Sequence, residues 1–143
     1  MIRWLQGFLE HIWRKISLQE ESVDLKGKSI PTEPNIHFDS ITKVNKTPKN
    51  CNIGKNNFII VVYQQKPLWT LFQCPCGCEK VISLSLQRVH RPHWRVSKNK
   101  LGRPTLFPSV WQNKGCCSHF WIKDGKVYWC QNTGTDPVGK QQY

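Results

Sequence analysis

Apolar side chains recur every three or four positions near the start of the chain, which is the spacing of one face of an α-helix. Polar and charged side chains occupy the opposite face. We therefore expect an amphipathic helix over residues 1–17, which either packs on its own domain or binds a partner protein. Two tryptophans on so short a helix are typical of a partner-binding hot spot. The candidate partner-binding residues are Trp4, Phe8, Ile12 and Trp13.

The next stretch, residues 18–56, has no regular apolar spacing. It is polar, contains Pro31, Pro34 and Pro48, and offers little apolar surface whose burial would offset the entropy lost on ordering. We predict a tether here, and short ordered pieces around residues 36–41 are compatible with the pattern.

From residue 57 the pattern is that of β-strands. A β-branched run at 58–63 predicts a buried strand. Asp124-Gly125 stands between two apolar runs, and this dipeptide is a strong signal for a two-residue hairpin that would bring Cys130 beside His119. The other predicted strands are residues 68–73, 81–86, 93–98, 119–123 and 126–130. We assign residues 57–143 to a mainly β, small antiparallel domain that follows the helix and the tether.

Five thiols and one imidazole fall into two clusters. The stretch Cys74-Pro75-Cys76-Gly77-Cys78 can aim several sulfurs at one point, because proline and glycine together favour a tight turn. Cys116-Cys117-Ser118-His119 adds a thiolate and an imidazole at a spacing that suits a tetrahedral metal ion. We predict that one structural zinc ion staples the domain, as in a zinc ribbon. Its predicted ligands are Cys76, Cys78, Cys116 and His119, with Cys74 as a reserve ligand.

Two other interpretations of the cysteines stay open. Reduced thiols pack as small hydrophobic groups, and this suits Cys51, which stands alone. A disulfide framework is less suitable, because the number of cysteines is odd and no secretion signal is present. No apolar run approaches the ~20 residues that a membrane span needs, so we expect a cytoplasmic protein without a membrane span.

Charge adds a second candidate surface. The chain holds 21 Lys and Arg against 9 acidic residues, for a net charge of +12. Residues 87–104 contain no acid, and their cations are interleaved with Trp94. A surface for single-stranded nucleic acid is one hypothesis, and a solvated face of a basic protein is the other. The candidate basic residues are Arg88, Arg91, Arg95 and Lys98.

Five blocks between residues 57 and 130 occur in an order that is typical of a known family. They are Phe72-x-Cys74-Pro75-Cys76-Gly77-Cys78, Trp94-x-Val96, Leu106-x-Pro108-Ser109-Val110-Trp111, Gly115-Cys116-x-Ser118-His119-Phe120-Trp121-Ile122 and Gly125-x-Val127-x-Trp129-Cys130. In these blocks the chain resembles a family of small bacterial Cys-rich proteins. Genes of that family lie near genes for bacterial ubiquitin-like proteins and their activating and conjugating enzymes. The resemblance implies an accessory role in ubiquitin-like conjugation and no particular reaction.

A more distant likeness concerns the metal site. Cys76-x-Cys78 and Cys116-x-x-His119 are similar to the paired ligand motifs of the Rieske group, so a Rieske-like fold with a [2Fe–2S] cluster is the alternative to zinc. A Rieske centre needs two histidines on one iron, and the cysteine that replaces the first histidine therefore favours zinc.

These observations favour a non-catalytic adaptor of a bacterial ubiquitin-like conjugation system. The expected partners are the ubiquitin-like protein or its activating and conjugating enzymes, with nucleic acid as the competing partner. From residue 40 on, only Glu79, Asp124 and Asp136 are acidic, and no Ser–His–Asp arrangement is apparent. An iron–sulfur redox protein is a further alternative, and thiol-based transfer through Cys117 or Cys130 is the catalytic one.

Overall fold

The structure is a computed structural model that describes residues 33–137. The predicted helix over residues 1–17, with its candidates Trp4, Phe8, Ile12 and Trp13, lies outside this range. Within the range the chain forms eight β-strands and one short 3-10 turn at Asn50–Asn52, so the mainly β fold is confirmed. No helical segment between residues 33 and 137 has the length and apolarity that a membrane crossing requires.

Four strands form the first sheet. They are β1 (Ile41–Val44), β2 (Phe58–Tyr63), β3 (Lys66–Gln73) and β4 (Val81–Ser85), and they lie side by side in that order. β1 runs parallel to β2, whereas β2, β3 and β4 pair antiparallel. β2 is a continuous apolar run because both of its faces are buried. Phe58 and Ile60 belong to the main core, and Ile59 and Val61 pack in a smaller cluster around Ile53.

The second sheet is fully antiparallel. Its strands are β5 (Arg95–Lys98), β6 (Pro104–Trp111), β7 (His119–Lys123) and β8 (Lys126–Trp129), again in chain order. The sequence pattern does not predict β6. Its register against β7 shifts between Leu106 and Val110, so that residues 107–109 bulge opposite Trp121. A bulge of this kind re-aims the side chains that it contains.

The main core lies between the two sheets. Phe58 and Phe72 of the first sheet stack on each other, with ring centroids 5.3 Å apart. Phe72 also meets Phe120 of the second sheet edge-on at 6.4 Å. The buried side chains of the core are Phe38, Phe58, Ile60, Phe72, Cys74, Ile82, Leu84, Leu106, Val110, Phe120, Ile122 and Val127.

The compact unit that contains both sheets begins at Pro34. Residues 34–56, assigned above to the tether, contain β1 and the fully buried side chains of Phe38 and Ile53. Burial of one such side chain contributes about 1.5–3 kcal/mol toward the entropy that ordering of this stretch costs. Isolated apolar residues in a polar stretch have no period, which is why the pattern indicated a tether.

The Asp124-Gly125 turn is a two-residue hairpin, as predicted. Both residues have positive φ, 51° for Asp124 and 76° for Gly125, which a type I′ turn requires. The backbone N–H of Cys130 donates to the carbonyl of His119 at 2.9 Å, so the predicted neighbourhood of these two residues is confirmed. Gly125 also lies against the chain at Phe38, whose carbonyl oxygen a Cβ at Gly125 would strike.

Candidate functional site

A serine, a histidine and an asparagine form a hydrogen-bonded line at one end of the second sheet. Ser109 lies in the β6 bulge, His119 begins β7, and Asn132 lies in the turn after β8. The Ser109 Oγ is 3.0 Å from the His119 Nε2, and the His119 Nδ1 is 2.6 Å from the Asn132 Oδ1. All three residues are partly buried.

The asparagine determines which ring nitrogen of His119 carries the proton. An amide oxygen can only accept, so the Nδ1 must carry the hydrogen and donate it to the Asn132 Oδ1. The Nε2 of the neutral ring then has a free lone pair, which accepts the hydroxyl hydrogen of Ser109. This is the tautomer in which a histidine can take a proton from a serine nucleophile.

The imidazole ring of His119 is held on several sides. The indole of Trp111 stacks on it, with centroids 4.4 Å apart and planes inclined by 1°. The indole N–H of Trp111 donates to the carbonyl of Thr135 at 3.1 Å, which ties this tryptophan to the same turn as Asn132. The backbone N–H of His119 donates to the Thr133 Oγ1 at 3.0 Å. The turn after β8 thus holds both the ring and the backbone of the histidine.

The position of Ser109 follows from the packing of β6. Its carbonyl accepts a hydrogen bond from the indole N–H of Trp94 at 3.3 Å. Val110, the next residue, is buried in the core and pairs with Phe120, and Trp111 pairs with His119. Anchoring on both sides of the bulge leaves the hydroxyl of Ser109 aimed at the imidazole.

Four thiols converge at a second position. The sulfurs of Cys74, Cys76, Cys78 and Cys116 all lie within 4.8 Å of one another, and they form the group of described residues suited to hold a metal ion. The Cys74–Cys76 separation is 3.4 Å, and Cys116 lies 3.8 Å from both Cys74 and Cys78.

These separations fit a metal ion better than a disulfide. Four sulfurs at about 2.3 Å from a tetrahedral zinc ion lie about 3.8 Å apart, whereas bonded sulfurs lie about 2.05 Å apart. All seven cysteines are free thiols. The donor set therefore fits a tetrahedral metal ion held by the β3–β4 turn and the β6–β7 loop.

The thiols differ in their readiness to ionise. Burial raises the pKa of Cys74 and, to a smaller extent, that of Cys78. Burial also acts to raise the pKa of Cys76, but hydrogen bonds from the Ser118 side chain and the Cys78 backbone outweigh it and lower this pKa to about 6. Burial also acts to raise the pKa of Cys116, but hydrogen bonds from the side chain and the backbone of Ser118 together outweigh it and lower this pKa. Two of the four sulfurs are therefore favoured as thiolates, the form that binds metal.

The group of four thiols contains three of the predicted ligands, Cys76, Cys78 and Cys116, and the reserve ligand Cys74. His119 is not part of this group. Both ring nitrogens of His119 are engaged by Ser109 and Asn132, and the ring therefore has no nitrogen left for a metal. For the same reason His119 is not available to activate the thiols of Cys117 or Cys130.

The basic residues named from the sequence lie mainly along a groove. It has a volume of about 920 Å³, and β1 and β5, which are edge strands of the two sheets, line it. No acidic residue is among the described residues that line it. Arg91 does not line it and instead donates to the carbonyls of Arg88 and His90. The candidates that do line it are Arg88, Trp94, Arg95 and Lys98, together with Lys43.

Sequence reasoning missed Ser109 and Asn132. Ser109 stands in the Pro-Ser-Val-Trp block, and no aspartate in a Ser–His–Asp arrangement marks it as a nucleophile. A signal was present, because Ser109 and His119 each sit in an aromatic-rich block. Their contact depends on the pairing of Trp111 with His119, and no local pattern specifies that register.

The comparisons agree with this geometry. Residues 43–130 match the protein family described as bacterial ubiquitination-like system serine protease (BubE). No curated protein and no solved structure matches the chain. The family match supports the association with a bacterial ubiquitination-like system that the resemblance implied.

Proposed function

Because the chain belongs to the bacterial ubiquitination-like system serine protease (BubE) family, we propose that it is a serine peptidase of such a system. The observation that carries the proposal is the line from Ser109 through His119 to Asn132, with separations of 3.0 and 2.6 Å. In this proposal Ser109 is the nucleophile, His119 the general base and Asn132 the residue that orients the base.

The geometry suits acyl transfer in two steps. The Ser109 Oγ attacks the scissile carbonyl carbon while its proton moves to the His119 Nε2. The tetrahedral intermediate collapses, the carbon–nitrogen bond breaks, and the departing amine takes the proton from the Nε2. Water then gives a proton to the Nε2 and attacks the ester on Ser109, which releases the acid and restores the hydroxyl. Throughout, the Nδ1–H stays bonded to the Asn132 Oδ1, a bond that strengthens while the imidazole is charged.

A small fluorophosphonate tests the proposal, because it phosphonylates an activated serine without needing substrate contacts. The full-length protein should gain one adduct, which peptide mass spectrometry places on Ser109. Ser109→Ala should abolish labelling, and Ser83→Ala, an exposed serine on β4, is the matched control. Absence of an adduct from the folded protein would refute the peptidase and leave a non-catalytic adaptor as the better account.

The metal is the second part of the proposal. Cys74, Cys76, Cys78 and Cys116 bind one structural zinc ion, and four thiolate ligands leave no open position for water. Ser118, whose hydroxyl lies 3.2 Å from the sulfur of Cys116, links this site to His119, the next residue. The ion thus fixes the loop that leads into the catalytic histidine. Metal analysis should give about one zinc per chain, whereas a red-brown protein with iron and sulfide would favour the [2Fe–2S] alternative.

The expected partners are inferred from the positive charge of the groove. The basic groove suits an acidic surface of the ubiquitin-like protein or of its activating or conjugating enzymes, because opposite charges speed encounter and set orientation. A helix with Trp4, Phe8, Ile12 and Trp13 would hold a second component. The double variant Trp4→Ala/Trp13→Ala should lose co-purification with that component while Ser109 still reacts with the fluorophosphonate.

Single-stranded nucleic acid is the second candidate ligand of the groove, since Trp94 lines it together with four cations. Such binding would fall steeply with salt, by nearly one unit of log–log slope for each phosphate neutralised. The double variant Arg95→Glu/Lys98→Glu should then bind a labelled oligonucleotide more weakly than the wild-type protein does, as measured by fluorescence anisotropy. Binding that is unaffected by the double charge reversal would exclude the groove as its site.

A further inference from the structure

The face of the second sheet that carries Ser109 and His119 also carries exposed aromatic rings. Side chains alternate along β7, so that Phe120 and Ile122 enter the core and His119 and Trp121 lie on the opposite face. Trp121 is 40% exposed. Phe107, which is 49% exposed, lies beside it on β6. Exposed aromatic groups that cluster on one face mark a binding surface more often than scattered ones do.

These two rings form a pair with a cation on its margin. The centroids of Phe107 and Trp121 are 6.0 Å apart, and the ring planes are inclined by 39°. The guanidinium carbon of Arg95 lies 4.9 Å from the centroid of Phe107, within cation–π distance. Trp111, on the other side of the catalytic pair, is already occupied by stacking on His119. Trp111 is 36% exposed, so Phe107 and Trp121 are the more open of the aromatic rings on this face.

Their spacing relates them to the reaction centre. Phe107 precedes Ser109 by two residues on β6, and Trp121 follows His119 by two residues on β7. Along the regular strand β7, residues two apart are separated by about 6.7 Å, and Trp121 lies opposite the bulge that contains Phe107 and Ser109. A substrate carbonyl held at the Ser109 Oγ therefore has side chains of its adjacent residues within reach of the two rings, because consecutive Cα atoms are about 3.8 Å apart.

We propose that Phe107 and Trp121, with Arg95 at their margin, form a specificity subsite for a large apolar or aromatic side chain next to the scissile bond. The subsite rests on the proposed peptidase function and names its substrate class. The rings provide a rigid apolar surface that small or acidic side chains of a substrate would not cover. Location beside the nucleophile favours a substrate segment as the occupant over a second copy of the chain.

A library of synthetic peptides of diverse sequence tests the subsite in the full-length protein. Cleavage sites identified by mass spectrometry should be enriched in Phe, Tyr, Trp, Leu or Met within two residues of the broken bond. Trp121→Ala should lower kcat/KM for the preferred peptides by roughly tenfold or more, the scale of a lost apolar pocket contact. Cleavage of the library without this enrichment, or no cleavage at all, would overturn the subsite.

The small fluorophosphonate separates this inference from the proposed function. Ser109 labelling is measured in Trp121→Ala and Phe107→Ala as well, and the ratio of kcat/KM for the preferred peptides to the labelling rate should fall in both variants, because the probe does not need the subsite. Tyr63→Ala, an exposed aromatic at the end of β2, should leave both peptide preference and labelling unchanged. If Trp121→Ala is labelled at Ser109 but keeps the wild-type peptide preference, the subsite alone is refuted. If the wild-type protein is not labelled at Ser109, the peptidase itself is refuted.

Discussion

Replacement of Asn132 by alanine isolates the contribution of the third residue of the proposed catalytic line. The variant removes the acceptor that lies 2.6 Å from the His119 Nδ1, whereas the Trp111 stack still holds the ring plane. In the transition state the imidazole is positively charged, and a hydrogen bond to a charged group is worth about 1.5–3 kcal/mol. At 1.36 kcal/mol for each tenfold change in rate, the expected loss is about 10- to 150-fold.

Two assays measure this loss without a known natural substrate. Hydrolysis of p-nitrophenyl acetate gives kcat and KM, and fluorophosphonate labelling gives a rate for the same proton transfer. The loss should appear in kcat with little change in KM, because the bond strengthens only in the transition state. Asn132→Asp keeps an acceptor and should recover most of the rate.

Gln131→Ala is the matched control, since Gln131 is an exposed neighbour in the same turn. An Asn132→Ala protein with unchanged kcat, or one whose loss lies wholly in KM, would contradict the assignment of Asn132 as the orienting residue. Circular dichroism should show the wild-type β signal in all of these variants, which separates an effect on catalysis from unfolding.

Three further predictions concern stability. Chelation of the metal should lower the unfolding temperature and slow the labelling of Ser109, and Cys74→Ser should reproduce both effects. Cys51→Ser changes an exposed thiol outside the cluster and should have neither effect. Phe120→Ala should lower the free energy of unfolding in urea by about 3–5 kcal/mol, because its ring is fully buried in the main core. Gly125→Ala and Gly134→Ala each place an alanine at positive φ, which costs about 1–2 kcal/mol. The Cβ of Gly125→Ala would also strike the carbonyl oxygen of Phe38, so this variant should show the lower unfolding temperature of the two.

The cysteine cluster and the proposed catalytic line share one loop. Cys116 belongs to the cluster, Ser118 donates to its sulfur, and His119 follows directly. A metal ion in the cluster would restrict the backbone immediately before the proposed general base. Misplacement of a catalytic group by 1 Å can cost about 100-fold in rate, so a structural ion at this position would affect chemistry that it does not contact.

Much of the fold could be predicted from the sequence, because strands and tight turns depend on neighbouring residues. The β-branched run predicted β2, and Asp124-Gly125 predicted the hairpin between β7 and β8. The crowding of Cys74, Cys76 and Cys78 predicted a convergence of thiols for the same reason, since a turn of five residues keeps its sulfurs near one another. Cys76 and Cys78 were predicted as ligands on these local grounds, with Cys74 in reserve, whereas Cys116 was predicted from its spacing to His119.

The tertiary structure alone decided which side chains contact His119. Its spacing to Cys116 is equally compatible with a metal ligand and with a general base, and the choice depends on which side chains other strands bring to the ring. The register of β6 against β7 supplies Ser109, and the turn after β8 supplies Asn132. These contacts join residues 10 and 13 positions away in the chain. The hydrophobic pattern specifies which face of each strand is buried, but a bulge shifts the register within that constraint. The site is therefore a product of packing between strands and cannot be derived from any one segment.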